Sequence, residues 1–209
     1  MKKTVLFLLA SVLAIFVSGQ ALAAGDFNKT SYTAKEVEFR TTMREIFAQN
    51  LTWQRAVLLE TIGNGRDASK ARERLVQSQD SITSLFRPYI GDSATDRLIS
   101  LLKQQAQLLA DYAGVVYSRG DKVFSANRLR EKNDEIAMLL ARENMNWDKA
   151  EIFNKIQRYT DLVTAEADLQ ENNFGAFDPP AIDSSFYMAM DLADTFTAGI
   201  MKLEPGMFW

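Results

Sequence analysis

The stretch KEVEFRTTMREIFAQNLTWQRAVLLETI, residues 35–62, decides the fold. Phe39, Met43, Ile46, Asn50, Trp53, Val57 and Thr61 recur at steps of three and four, which is the spacing of one buried helix face. The run stops at Gly63-Asn64-Gly65, where glycine supplies a left-handed turn residue. Asn50 is the anomaly, because it places an amide on a face that is otherwise largely apolar.

The same period continues outward from this stretch. A second helix, from about Ala68 to Arg87 behind a cap at Asp67, carries Ala71, Leu75, Gln79, Ile82 and Phe86, and ends at Pro88 and Gly91. A third, capped by Asp92 or Ser93, carries Leu98, Leu101, Gln105, Leu108, Tyr112 and Val115 as far as Gly120-Asp121. The fourth covers about Lys122 to Glu143 on Leu129, Ile136 and Leu140. Asn144-Met145-Asn146-Trp147 is a connector, with Asn146 expected to cap a fifth helix built on Ile152, Ile156, Tyr159, Val163 and Glu166. Two consecutive prolines interrupt FGAFDPPAID. A last helix, expected to be capped by Asp183 or Ser184, carries Phe186, Ala189, Ala193, Phe196, Ile200 and Leu203.

No run alternates with the period of a strand, and turns fall at helix spacing. The expected fold is all-α: an antiparallel, up-and-down bundle of about six helices in a single domain over residues 35–209.

The first 23 residues have the pattern of a secretory signal peptide. Lys2-Lys3 precede an apolar run, Val5 to Val17, and Ala21-Leu22-Ala23 fits the cleavage rule. That run is shorter than the roughly twenty residues a spanning helix needs, and with no cysteine after it a lipoprotein is excluded. A periplasmic or secreted protein beginning near Ala24 is expected, with residues 24–34 as a flexible leader and no stable membrane insertion. Loss of Lys2 and Lys3 would move the net charge from −3 to about −5, a mildly acidic balance that gives no footprint for nucleic acid.

The chain has no cysteine and no histidine. Disulfides, the usual zinc, copper and haem ligands, and Ser-His or Cys-His nucleophile pairs are therefore excluded. No calcium loop of the form D-x-[DN]-x-[DN]-G is present, and no cofactor is expected. Met188, Met190, Met201 and Met207 lack the density of a copper motif and suit a core. Asn28 and Asn50 match the glycosylation pattern, but Asn50 is mid-helix.

Polar residues on the apolar stripes are the candidate functional positions, since sites in bundles are built from inward-facing side chains. They are Asn50, Gln79, Gln105, Tyr159 and Glu166, with Asp191 and Asp194 beside the last stripe. A polar stripe residue also serves to fix helix register. A buried Glu166 needs a cation, for which Arg55 or Arg158 is available.

Six segments, taken in order, resemble a family of uncharacterised bacterial all-helical proteins. RLVQSQDSITSLFRPYIG (Arg74 to Gly91) is similar to RLLxNQxDIGxAIxPYYG. NLTWQR (Asn50 to Arg55), which contains Trp53, is similar to HxxWTR, and LLKQQ (Leu101 to Gln105) to LLxxH. NDEIAMLL with Asn144 and Trp147 resembles NADxIAxFL followed by NPxNW. YTDLVTAEA resembles HLxLTTxEA, and LADTFTAGIMKLEPGMF resembles MADxLxxGIxxQFPxxF. Some family members carry the labels glycosyltransferase or acetylglutamate kinase, yet this chain has no P-loop and no Gly-rich nucleotide turn.

The resemblance implies that three recurrent family histidines fall on Asn50, Gln105 and Tyr159, and a recurrent aspartate on Asp194. In histidine-bearing relatives such a set suits a metal. Here the imidazoles are gone, and Ser78 and Lys132 also replace family residues. The candidate ligand-binding set is Asn50, Trp53, Gln79, Gln105, Tyr159, Glu166 and Asp194, with no catalytic or metal assignment. Three functions are weighed: a non-catalytic binding protein with a polar pocket, a structural or interaction protein, and an enzyme using Glu166 or Asp194 with Tyr159. A small molecule or a protein is the expected partner.

Overall fold

Capping chemistry sets where the chain enters its helices. Thr33 and Glu36 form a reciprocal capping box at the start of α1 (Ala34–Ile62). There follow α2 (Ala68–Ser118), α3 (Lys122–Glu143), α4 (Lys149–Asn172), α5 (Pro179–Leu203) and a 3-10 turn at Pro205–Phe208. The computed structural model describes residues 31–172 and 178–209, and no strand occurs among them. The expected signal peptide, most of the leader and residues 173–177 lie outside the described residues.

α2 is a hairpin. Gly91 breaks its helical geometry at φ 79° and ψ 170°, a region open essentially to glycine alone. Along a straight helix, residues 80 and 103 would stand about 34 Å apart. Instead Lys103 Nζ lies 2.7 Å from Asp80 Oδ1, so the two arms run back along each other. Arg87 staples the reversal by reaching Asp92 at 2.6 Å and Asp96 at 2.8 Å. The first arm continues through Pro88 and does not stop at Arg87. With its two arms counted separately, the bundle has the six segments that the periodicity expects.

Three expected caps differ. α5 begins at Pro179 behind Asp178, whose side chain accepts from the Ala181 N–H, and not at Asp183 or Ser184. Both prolines sit in the first turn, where backbone N–H groups have no intrahelical acceptor to lose. Asp148, not Asn146, caps α4 by accepting from Glu151 N at 2.8 Å. Asp67 occupies the cap position of α2 without a side-chain capping bond and pairs with Lys70 instead.

The core gathers around aromatic rings. Phe86, Trp147 and Phe196 meet pairwise with centroids 5.5 to 5.8 Å apart, and Phe47 joins Phe196 at 5.7 Å. A smaller cluster of Phe39, Tyr89 and Phe208 closes one end. There Thr33 donates to the Phe208 carbonyl at 2.6 Å and ties the tail to the start of α1. The buried face of α1 is broader than the expected stripe, since it also buries Phe47, Leu51, Gln54 and Leu58. It packs on α2, α4 and α5, and a helix contacted from several sides buries more than one stripe. Among the described residues no helix is long and apolar enough to cross a membrane.

Candidate functional site

Helices α1 to α4 bring polar groups to the middle of the bundle. From α1, Asn50 donates to Ser78 Oγ at 2.9 Å and accepts from Gln54 Nε2 at 2.8 Å. The 50–54 pair is one helical turn apart, the spacing at which side chains meet. From the second arm of α2, Gln105 Nε2 donates to Asn133 Oδ1 at 2.5 Å. Asn133, fully buried on α3, donates in turn to Gln157 Oε1 and Thr160 Oγ1 on α4. One network therefore joins α1 to the first arm of the hairpin, and the other joins its second arm to α3 and α4.

A cavity of about 50 Å³ is lined by members of both networks. Asn50, Gln54, Gln79, Gln105 and Tyr159 are its polar walls, and Phe47, Phe86, Leu98, Ile136, Ile156 and Phe196 are among its apolar ones. No charged side chain lines it. Gln79 is 2% exposed, and its amide donates only to the Leu75 carbonyl of its own helix, at 3.2 Å.

The Tyr159 hydroxyl stands apart. It is buried and finds no protein hydrogen-bond partner, whereas buried hydroxyls are as a rule paired. Desolvation, with a smaller contribution from the Glu166 carboxylate, holds its pKa far above the ordinary 10.0. The group is accordingly a neutral phenol at physiological pH, able both to donate and to accept.

The remaining candidates lie elsewhere. Glu166 accepts from Arg55 Nε at 2.6 Å and from Ser185 Oγ at 2.8 Å, linking α4 to α1 and α5. Asp194 is clamped by Arg40 and Arg44, each offering two nitrogens to its two oxygens. Trp53 lies under the Arg74 guanidinium, 5.0 Å from the ring centroid. The structure thus brings Asn50, Gln79, Gln105 and Tyr159 to one cavity, and places Trp53, Glu166 and Asp194 outside its walls.

Sequence reasoning missed Gln54 and Asn133. Asn133 lies four residues after Leu129 and three before Ile136, so its place on the α3 stripe is visible in the spacing. Gln54 follows Asn50 by one turn but falls off the narrow stripe drawn through Trp53. Comparison with known proteins found no match among family models, curated proteins or solved structures.

Proposed function

We propose that this chain is an exported, non-catalytic helical-bundle protein that holds a small ligand in the polar centre of its bundle. One observation carries the reading: a cavity at the bundle centre whose walls carry the amides of α1 and of both arms of α2, beside the buried Tyr159. A non-catalytic role is supported by Glu166 and Asp194, the carboxylates that acid–base chemistry would use. Each is engaged by arginine, and neither lines the cavity. Export rests on the signal-like first 23 residues, and the family resemblance adds that the positions in question are polar in relatives too.

The test compares methyl NMR spectra of the purified protein before and after it is unfolded and refolded in clean buffer. Ile82, Ile136 and Ile156 line the cavity and report on it. A bound ligand predicts shifts confined to these methyls, with a released compound identified by mass spectrometry. Identical spectra and no released compound would defeat the reading.

A second reading has its own support. Asn50 uses both ends of its amide, and so does Asn133. Such satisfied networks fix how helices mate without binding anything. On that reading the polar centre is structural and the protein serves as an interaction module.

A further inference from the structure

We infer that the central cavity is dry and that the group it takes is a short hydrocarbon, about two carbons in size. This rests on the binding reading of the centre and names the chemistry of the part that enters. Phenylalanine, leucine and isoleucine side chains from all five helices make most of the wall, and nearly all of the surface turned to the opening is hydrocarbon. The wall amides do not change this, because they are engaged within the protein. Asn50 donates to Ser78 and accepts from Gln54, Gln79 donates to the Leu75 carbonyl, and Gln105 donates to Asn133. A buried water needs about two to four polar partners, which a hydrocarbon surface does not offer. No charged side chain lines the cavity, so an ion would lose its hydration without a counter-charge. A hydrocarbon group instead gains the dispersion contacts that empty space forfeits.

Size narrows the class further. An engineered apolar cavity of about 150 Å³ stays dry and accepts benzene, with six carbons. The 50 Å³ found here scales to about two carbons. Leu102 and Gln105 are the two lining residues that are partly exposed, so a longer chain would leave beside them. A free two-carbon molecule and the end of a longer alkyl chain share the hydrocarbon chemistry, and the test separates them.

The full chain is equilibrated in turn with methane, ethane and n-butane while the Ile82, Ile136 and Ile156 methyls are followed by NMR. Water contacts to the same methyls are read by cross-relaxation without additive. The expected result is saturable shifts confined to these methyls, ethane binding about fourfold tighter than methane, and no water cross-relaxation. Weaker binding of n-butane than of ethane supports a free two-carbon occupant, and tighter binding supports the end of a longer chain. Water cross-relaxation to the methyls, or no saturable response to any of the three gases, overturns the inference. Leu98→Phe fills the space and should abolish the ethane response. If that variant folds poorly, Ile136→Val enlarges the cavity by one methyl and should move the preference from ethane to propane. An unchanged response in either variant overturns the assignment. A released compound without an apolar end overturns it too while leaving the binding reading intact. Ethane binding to a chain that releases no compound leaves the inference standing and defeats the binding reading.

Discussion

The indole of Trp147 lies across the backbone of α5 at Gly199, so close that a β-carbon on residue 199 would stand 1.8 Å from the indole nitrogen. The indole also donates to the Thr195 carbonyl at 3.3 Å, and the neighbouring Asn144 amide donates to the Gly199 carbonyl at 2.9 Å. The connector between α3 and α4 is thereby locked onto α5, and Trp147 joins the central aromatic cluster. Gly199→Ala must push a rigid ring out of a packed core, so a loss of about 1–3 kcal/mol is expected. Urea unfolding monitored by tryptophan fluorescence checks it, and a variant as stable as wild type would contradict this packing.

Gly91 poses the opposite case. A β-carbon there meets no atom within 4 Å, yet φ is +79°. Gly91→Ala is expected to cost about 1–3 kcal/mol from backbone strain alone, since that region is essentially glycine's. The loss should persist when Arg87 is removed as well, because the staple and the strain act independently. Calorimetry of the single and double variants reads both terms.

Asp194 gives a pH dependence with a definite sign. Burial works to raise its pKa, but the hydrogen bonds and charges of Arg40 and Arg44 outweigh burial and leave the value below the ordinary 3.8. A carboxylate depressed in the folded state adds stability above its unfolded pKa, and that stability is lost as pH falls through the folded value. The arginine side chains are 39% and 43% exposed, so screening limits the gain to about 1 kcal/mol. Asp194→Asn should be less stable than wild type by that amount at neutral pH, and the gap should close only below pH 3.8. A gap that closed near neutrality would assign the effect to another group.

At Tyr159 the sign of a stability change tests what the hydroxyl meets. With an ordered water bound to it, Tyr159→Phe should lower stability by about 1 kcal/mol. A hydroxyl that meets nothing would instead make the same change neutral or stabilising, because it removes an unpaired buried group. Asn50→Leu is expected to cost about 1–3 kcal/mol in either case, since it strips partners from Gln54 and Ser78. Thermal melts of both variants against wild type supply the comparison.

Much of this architecture was legible in residue spacing. Steps of three and four place Met43, Val57, Leu75, Leu98, Ile136 and Ile200 inside because a helix turns once in about 3.6 residues. Gly91 marks a reversal because glycine tolerates what other residues resist, whereas at the ends of α1 and α2 the left-handed residues are Asn64 and Arg119 rather than the neighbouring glycines. The polar stripe positions Asn50, Gln79, Gln105 and Tyr159 could be named from the same period. Spacing along one helix fixes which residues share a face, but not which faces meet. Only the packing of five helices brought these four to a single cavity while giving Glu166 to Arg55 and Asp194 to Arg40 and Arg44. Only that packing recruited Asn133 and Gln54, and left the Tyr159 hydroxyl without a protein partner. Local sequence sets period, caps and breaks through short-range sterics and hydrogen bonds. Partners across the bundle are decided by how whole faces fit, which depends on every helix at once.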